Sequence, residues 1–371
     1  MIDVAIIRSN SIIYDTRVIK IARSLSKRYS TLILGWNRDG VSRKTISNYI
    51  TDLELFNLRA PFGTLFLVVY FPLFWMWILF KLFVYRPTVV HACDLDTILP
   101  CYIYKIIFRK RLVFDVFDRY AMGYIPAVLE PGSIKYKVLY SLVNSFEELF
   151  SKESDLLVNV SEELLRTFRR RPKHCAIIMN CHEDHAIDRV KLEDSTLTLV
   201  YTGPIMRNRG LDRITAAIQD VNDVELIIAG RVIDKELLDK ILKISNVKYK
   251  GLLPFSHALA LEGCSDTIIS LNDLKVPLYN FAVPNKLFKA MMFGLPIITN
   301  AAPEIVNKVG CGIIVDYNNV DQIKAAVIHL RDDIDLRRRL GNNGRKAFLQ
   351  KYNWTMMEQE LYKFYESLLV K

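Results

Sequence analysis

Along the chain, short runs of β-branched and aliphatic residues alternate with segments in which apolar residues recur every three or four positions. Strands apolar throughout, each leading into a helix-period segment, predict parallel sheets covered by helices. Val4-Ala5-Ile6-Ile7 is the first such strand. Asp15 to Arg28 follows as a helix with Val18, Ile21, Ala22 and Leu25 on one face, then Thr31 to Leu34 returns as a strand. Val89-Val90-His91, Leu112-Val113-Phe114 and Leu156 to Val160 continue the series, with Ser161 placed to cap a helix from Glu162. A second series reads Leu197 to Tyr201 ending at Gly203, Leu226 to Ala229 ending at Gly230, Val247 to Tyr249 ending at Gly251, Thr267 to Ser270, and Pro296 to Thr299. The polar stretch Glu183 to Ser195 between the two is the expected linker.

Two series in 371 residues suit two domains. The pattern predicts an N-terminal domain over 1–185, a C-terminal domain over 186–352 and a last helix over 353–371. In open α/β sheets ligands bind beyond the carboxyl ends of the strands. Two such sheets facing one another would place the active site in a cleft between them.

One segment breaks the alternation. Thr64 to Phe80 carries no charge, and its apolar character runs on past Lys81 to Tyr85, close to the length of a membrane span. A single crossing conflicts with the sheet, because Val89 to His91 must rejoin the sheet begun by Val4 to Ile7. Pro72 in mid-segment suggests a kinked or re-entrant helix, and Phe74, Trp75 and Trp77 suit a membrane interface. The expectation is a membrane-embedded, non-spanning helix over about 64–85, the alternative a buried core helix. Lys81, Arg86, Lys105, Arg109, Lys110 and Arg111 nearby would favour anionic headgroups.

Composition narrows the partners. Hydrophobic residues are 51% and charged ones 24%, which excludes disorder and allows a large core. Fifty Lys and Arg against 40 Asp and Glu give a net charge of +10, which fits either nucleic acid or an anionic membrane. No zinc-finger spacing, aromatic-basic run or helix-turn-helix supports nucleic acid. The six cysteines form no disulfide framework. The opening MIDVAIIRSNS lacks a signal-peptide pattern, so reduced thiols and the cytoplasmic face of the membrane are the expectation. The cluster from His174-Cys175 to Cys181-His182-Glu183-Asp184-His185 suggests zinc but matches no standard spacing, and the strand Cys175 to Met179 would point its side chains apart. No metal is assigned there.

Around Tyr201 the chain reads YTGPIMRNRGLDRI. A strand ending in glycine, then arginines, then a glycine opening a helix, is a way of holding phosphate, with Arg207 and Arg209 as the cations. Downstream lies VPNKLFKAMMFGLPIITN, followed by APEIV. With YDTRVIKIARSLSKRYSTLIL, VVHACDLDT, LVFDVFD and the closing VGCGIIVDYNNVDQIKAAVIHLRDDIDLRRRLGNNGRKAF, this order of motifs resembles, nearly end to end, the family-4 retaining glycosyltransferases of the GT-B fold.

That resemblance implies two Rossmann-like domains with parallel sheets facing across a cleft, and a last helix from Trp354 that crosses back to the N-terminal domain. It implies a nucleotide-sugar donor held by Gly203, Arg207, Arg209, Pro284, Asn285, Lys286, Lys289 and Glu304. Asp15, Arg17, Asp94, Asp96 and Asp118 would meet the acceptor, and Arg209, Lys286 and Asp118 would carry the catalytic roles. No cofactor or obligatory metal is implied; Asp94-Leu95-Asp96 has the spacing of a metal motif but lies on the acceptor side. The apolar segment points to a membrane-associated, polyprenyl-linked acceptor and to glycan or surface-polysaccharide assembly.

Three positions depart from the family pattern. Lys289 stands where a glutamate would bond the nucleotide ribose, Phe281 where an earlier glutamate would lie, and Phe117 where an acceptor-side histidine would lie. A lysine has only donors and accepts no ribose hydrogen bond. The alternative reading is therefore a membrane scaffold or regulatory relative whose site has decayed, and a nucleotide-sugar epimerase of the same fold is a further enzyme reading.

Overall fold

The computed structural model describes residues 2–12, 15–40, 52–60, 67, 69–185 and 196–369. The chain divides into two compact units. One comprises Met1–Asn180, Val276–Leu278 and Glu358–Lys371; the other comprises Cys181–Lys275 and Tyr279–Met357. Residues 186–195 of the expected linker lie outside the described residues.

In the first unit the strands are β1 (Val4–Arg8), β2 (Thr31–Trp36), β3 (Leu53–Phe56), β4 (Val89–Cys93), β5 (Arg111–Val116), β6 (Leu156–Asn159) and β7 (His174–Ile177). They form one parallel sheet in the order β3-β2-β1-β4-β5-β6-β7. The helices are α1 (Thr16–Ser26), α2 (Phe71–Tyr85), α3 (Leu95–Phe108), α4 (Tyr124–Val128), α5 (Ile134–Glu153) and α6 (Glu162–Arg166). Asp15 caps α1 by accepting from Val18 N, and Ser161 caps α6 by accepting from Leu164 N at 3.0 Å. Alternate strand residues Ala5, Ile7, Val90, Ala92, Leu112 and Phe114 pack under α2, α3 and α5. His91 and Asp115 point to the other face, where α1 lies.

In the second unit β8 (Leu197–Thr202), β9 (Val224–Ala229), β10 (Val247–Tyr249), β11 (Thr267–Ser270), β12 (Ile297–Thr299) and β13 (Gly312–Ile314) form a parallel sheet in the order β10-β9-β8-β11-β12-β13. Its helices are α7 (Leu211–Ile218), α8 (Lys235–Ile241), α9 (Phe255–Gly263), α10 (Asn285–Phe293), α11 (Pro303–Val309), α12 (Val320–Asp332) and α13 (Ile334–Gln350). A last helix, α14 (Trp354–Leu369), follows. Its later turns lie on the first unit: Tyr362 Oη donates to Ser24 O at 2.8 Å, and Tyr365 Oη meets His91 Nδ1 at 2.5 Å.

The apolar segment is shorter as a helix than its composition suggests. α2 begins at Phe71, and Pro72 stands in its first turn, where the missing N–H removes no helical bond. A kink at Pro72 is therefore corrected to a helix start. Residues 64–66 and 68 lie outside the described residues. Phe74, Ile78 and Leu82 of α2 are fully buried against the sheet, whereas Met76, Phe80 and Val84 are exposed. Among the described residues no helix is long and apolar enough to cross a membrane.

Inside the first unit Arg119 is 1% exposed and gathers α5 through its guanidinium. It donates to Glu147 Oε2 at 3.1 Å, Glu148 Oε1 at 3.2 Å, Asn144 Oδ1 at 2.8 Å and Thr167 O at 2.7 Å. Burial pushes the Glu147 carboxyl up to about 7, against the pull of Arg119. Removing the cation leaves two buried carboxylates facing each other. Arg119→Ala should destabilise the protein by about 3–5 kcal/mol, read as a lowered urea midpoint; a change below about 1 kcal/mol would show that the cluster is not cooperative.

Candidate functional site

In the second unit the polar groups collect where β8 and β11 end and α10 begins. Gly203, just past β8, has φ of 149°. Gly230, just past β9, has φ of 148°, and a Cβ on it would lie 1.9 Å from Gly203 O. Two backbones thus approach with no room for a side chain. A Cβ on Gly203 would lie 3.3 Å from Lys286 Nζ, so the ammonium sits beside this turn.

Lys286 stands in the first turn of α10, with Pro284 as N-cap and Asn285 exposed before it. No acidic residue shares that turn, so a cation sits at the positive end of the helix dipole. Its ammonium lies 4.4 Å from the Tyr201 ring centroid and makes no hydrogen bond or ion pair among the described residues. Desolvation, with like charge from Arg209 and Lys289, lowers its pKa to about 7.

Arg209 is placed by a 3-10 turn over Arg207–Arg209 that Gly210 closes with φ of 64°. It donates to Asn272 Oδ1 at 2.9 Å and lies 4.9 Å from the Tyr279 ring centroid. Its Nε is buried without a partner among the described residues. Lys286 thus lies beside the glycine turn with Arg209 close enough to act on its charge, and both have donors unused, an arrangement suited to an anion with several oxygens.

The other donor-side residues divide. Arg207 turns away: its exposed guanidinium pairs with Asp234 at 2.7 Å and Glu236 at 3.2 Å. Glu304 is exposed in the first turn of α11. Lys289 pairs with Glu262 of α9 at 2.8 Å, and Thr202 Oγ1 donates to the same carboxylate. Glu262, 1% exposed, is absent from the sequence reading because nothing in a short apolar helix marks its one acid as turned inward. Phe281 lies partly buried after a 3-10 turn over Pro277–Asn280.

In the first unit a buried charge network occupies the ends of β1, β4 and β5. Arg8 pairs with Asp15 at 2.6 Å and with Asp94. Asp94 has φ of 66°, rare for a residue with a side chain, and its Oδ1 accepts from Phe117 N at 2.9 Å. Burial pushes Asp94 up to about 7 although Arg8 draws it down. Asp96 accepts from Ser9 Oγ, and burial raises its pKa as well. Arg17 is 2% exposed and is held by Asp115 at 2.8 Å and by Ile178 O. Asp115 also meets His91 Nε2 at 3.1 Å. The pull of Arg17 and the His91 bond keep that carboxyl below the ordinary range despite burial.

Phe117 takes part without hydrogen bonding: the guanidinium carbons of Arg8 and Arg17 lie 4.4 and 4.9 Å from its ring centroid. Asp118 beside it is exposed. The structure therefore brings Asp15, Arg17, Asp94 and Asp96 into one buried set with Arg8 at its centre. Sequence reading passed over Arg8, although a charged residue ending an apolar strand was its available signal. Among the described residues no cluster of His, Cys, Asp and Glu is arranged to hold a metal ion.

Residues 196–333 match the family model described as glycosyl transferases group 1. An uncharacterized glycosyltransferase of Methanocaldococcus jannaschii is 23% identical over 296 residues, 74% of this chain and 73% of that protein. The capsular polysaccharide biosynthesis glycosyltransferase CapM of Staphylococcus aureus is 22% identical over 189 residues, 48% of each chain. Anabaena HepE, solved in complex with UDP, shares the fold with a TM-score of 0.73 at 13% identity, over 98% of this chain and 100% of that one. The protein is a glycosyltransferase similar to family 4, with the GT-B fold.

The paired glycine turns carry their own test. Gly230→Ala should cost several kcal/mol, because its Cβ meets a carbonyl oxygen at 1.9 Å. Gly251→Ala has open space and only a φ of 77° to bear, about 1–2 kcal/mol. Equal melting temperatures for the two variants would contradict the close approach at Gly203.

Proposed function

We propose that this protein transfers a sugar from a nucleotide-sugar donor to a polyprenyl-linked acceptor at the cytoplasmic face of the membrane, with retention, in glycan or surface-polysaccharide assembly. The observation that carries the donor half is the pair Arg209 and Lys286, both with unused donors, Lys286 lying beside Gly203 and Arg209 near enough to act on its charge. Breaking the bond from sugar to diphosphate leaves negative charge on the phosphate oxygens, and fixed cations stabilise it most in the transition state. HepE is solved with UDP and CapM is named for capsular polysaccharide biosynthesis, and both support this reading.

Gly203, Arg209, Pro284, Asn285 and Lys286 hold the diphosphate in this proposal, and Glu304 borders the donor. Arg207, held by Asp234 and Glu236, and Lys289, held by Glu262, contribute charge at longer range. Asp94, Asp96 and Asp118 meet the acceptor, with Asp15 and Arg17 positioning that loop set. No metal is required, since the two cations do the work of a divalent ion. The polyprenyl acceptor is supported by the exposed apolar side chains of α2.

The Lys289–Glu262 pair and the Phe117 ring favour a second reading, a relative whose transfer activity is lost. Donor binding separates the two. Thermal unfolding should be measured against a panel of nucleotides and nucleotide sugars. A ligand at 100 times its Kd stabilises by about 2.7 kcal/mol, a clear shift in Tm. A selective shift with one nucleotide supports transfer; a cooperative melt that no nucleotide moves overturns it. Arg209→Ala should lower transfer well over tenfold, and an unchanged rate would remove Arg209 from the site.

The lowered Lys286 pKa adds a pH signature. A nucleotide-sugar diphosphate favours the charged ammonium and raises its pKa above 7, so binding above pH 7 takes up a proton. Affinity should be flat below pH 7 and fall above it by up to about tenfold per unit. Titration calorimetry at pH 6.5, 7.5 and 8.5 reads this directly, and Lys286→Met should flatten the profile.

A further inference from the structure

Helix α5 is built inside out. Its inward face carries Asn144, Glu147, Glu148 and Ser151, at positions i, i+3, i+4 and i+7, beside the single core residue Phe150, and all four polar side chains are hydrogen-bonded to the rest of the first unit. Glu147 and Glu148 are only 1% and 7% exposed. The opposite face carries Ile134, Val138, Leu142, Phe146 and Leu149, exposed between 39% and 81%. A helix that solvates its outer face normally does the reverse. An exposed apolar row of this length marks a contact surface.

That row is not isolated. α2, α3 and α5 pack over the same face of the first sheet. α2 adds exposed Met76, Phe80 and Val84, and α3 adds Ile106 and Ile107. Exposed cations edge the surface: Lys135, Lys137 and Lys152 on α5, and Arg86 and Arg109 at the ends of α2 and α3. Of the carboxylates in α5, two are turned inward to Arg119 and Glu153 is its last residue.

We infer that α5 is a second bilayer-docking element, laying its Ile134–Leu149 row into an anionic lipid surface beside α2. Apolar side chains enter the acyl boundary while the flanking lysines and arginines meet lipid phosphates. A second copy of the chain fits worse, since two-fold pairing would bring the same cations together. The inference rests on the membrane part of the function proposed above and needs none of the transfer chemistry.

The experiment is flotation of the full-length protein with phosphatidylcholine vesicles, with and without phosphatidylglycerol. The wild type should float with the anionic vesicles. Leu142→Ser with Phe146→Ser should lower the bound fraction at least tenfold, with the Tm and nucleotide response unchanged. Lys135→Glu with Lys137→Glu should weaken binding to anionic vesicles and leave binding to neutral ones as it was. A wild type that floats with neither vesicle overturns the whole membrane reading. A wild type that floats while the Leu142/Phe146 variant floats equally well overturns α5 alone, leaving α2 as the contact. A variant that turns a dimer into a monomer, with flotation unchanged, gives the surface to a second copy.

Discussion

A parallel strand flanked by helices has both faces buried, so its side chains are apolar except where a buried partner is at hand, as for His91 and Asp115. Each sheet of this protein therefore concentrates its chemistry in the few residues that follow the strands. In the first unit these are Arg8, Asp94, Asp96 and Phe117; in the second they are Gly203, Gly230, Asn272 and the start of α10. Burying charge there is costly, and the two units meet that cost differently. The first pairs Arg8 and Arg17 with three carboxylates, Asp15 before α1, Asp94 after β4 and Asp115 in β5, and lays both against Phe117. The second leaves two cations with spare donors.

That difference decides what each set can do. A network closed on itself is rigid, and it holds Asp94 in a backbone conformation that costs about 1–3 kcal/mol. In the open set, desolvation by burial, with like charge from Arg209 and Lys289, lowers the Lys286 pKa to about 7. Lys289 would add a third positive charge to this group, and Glu262 cancels it. The departure from the family pattern at Lys289 is thus balanced within the unit by a carboxylate from α9.

Much of the architecture was legible because both sheets are parallel. Val4–Ile7, Leu112–Phe114 and Leu226–Ala229 are unbroken apolar runs, and they sit where such runs predict strands. β3 and β13 were missed because they are short edge strands of four and three residues with only partial burial. Gly203 and Arg209 were singled out by their place between a strand and a helix, and Lys286 by the family resemblance. Arg8, Glu262 and Asn272 were not. Their roles depend on which distant strand lies beside them, and no local spacing encodes that.

Helix α5 shows where periodicity misleads. Its apolar residues recur at Ile134, Val138, Leu142, Phe146 and Leu149, a spacing that would assign them to the core. They face outward instead, because Arg119 enters from the loop after β5 and needs Glu147 and Glu148 on the inner side. One buried cation thus fixes the rotation of a 20-residue helix and turns its apolar row to the surface. The same side chains would stabilise a core if Arg119 were apolar. With a buried guanidinium in place, the apolar row stays at the surface, and the lipid contact proposed for α5 draws on that constraint.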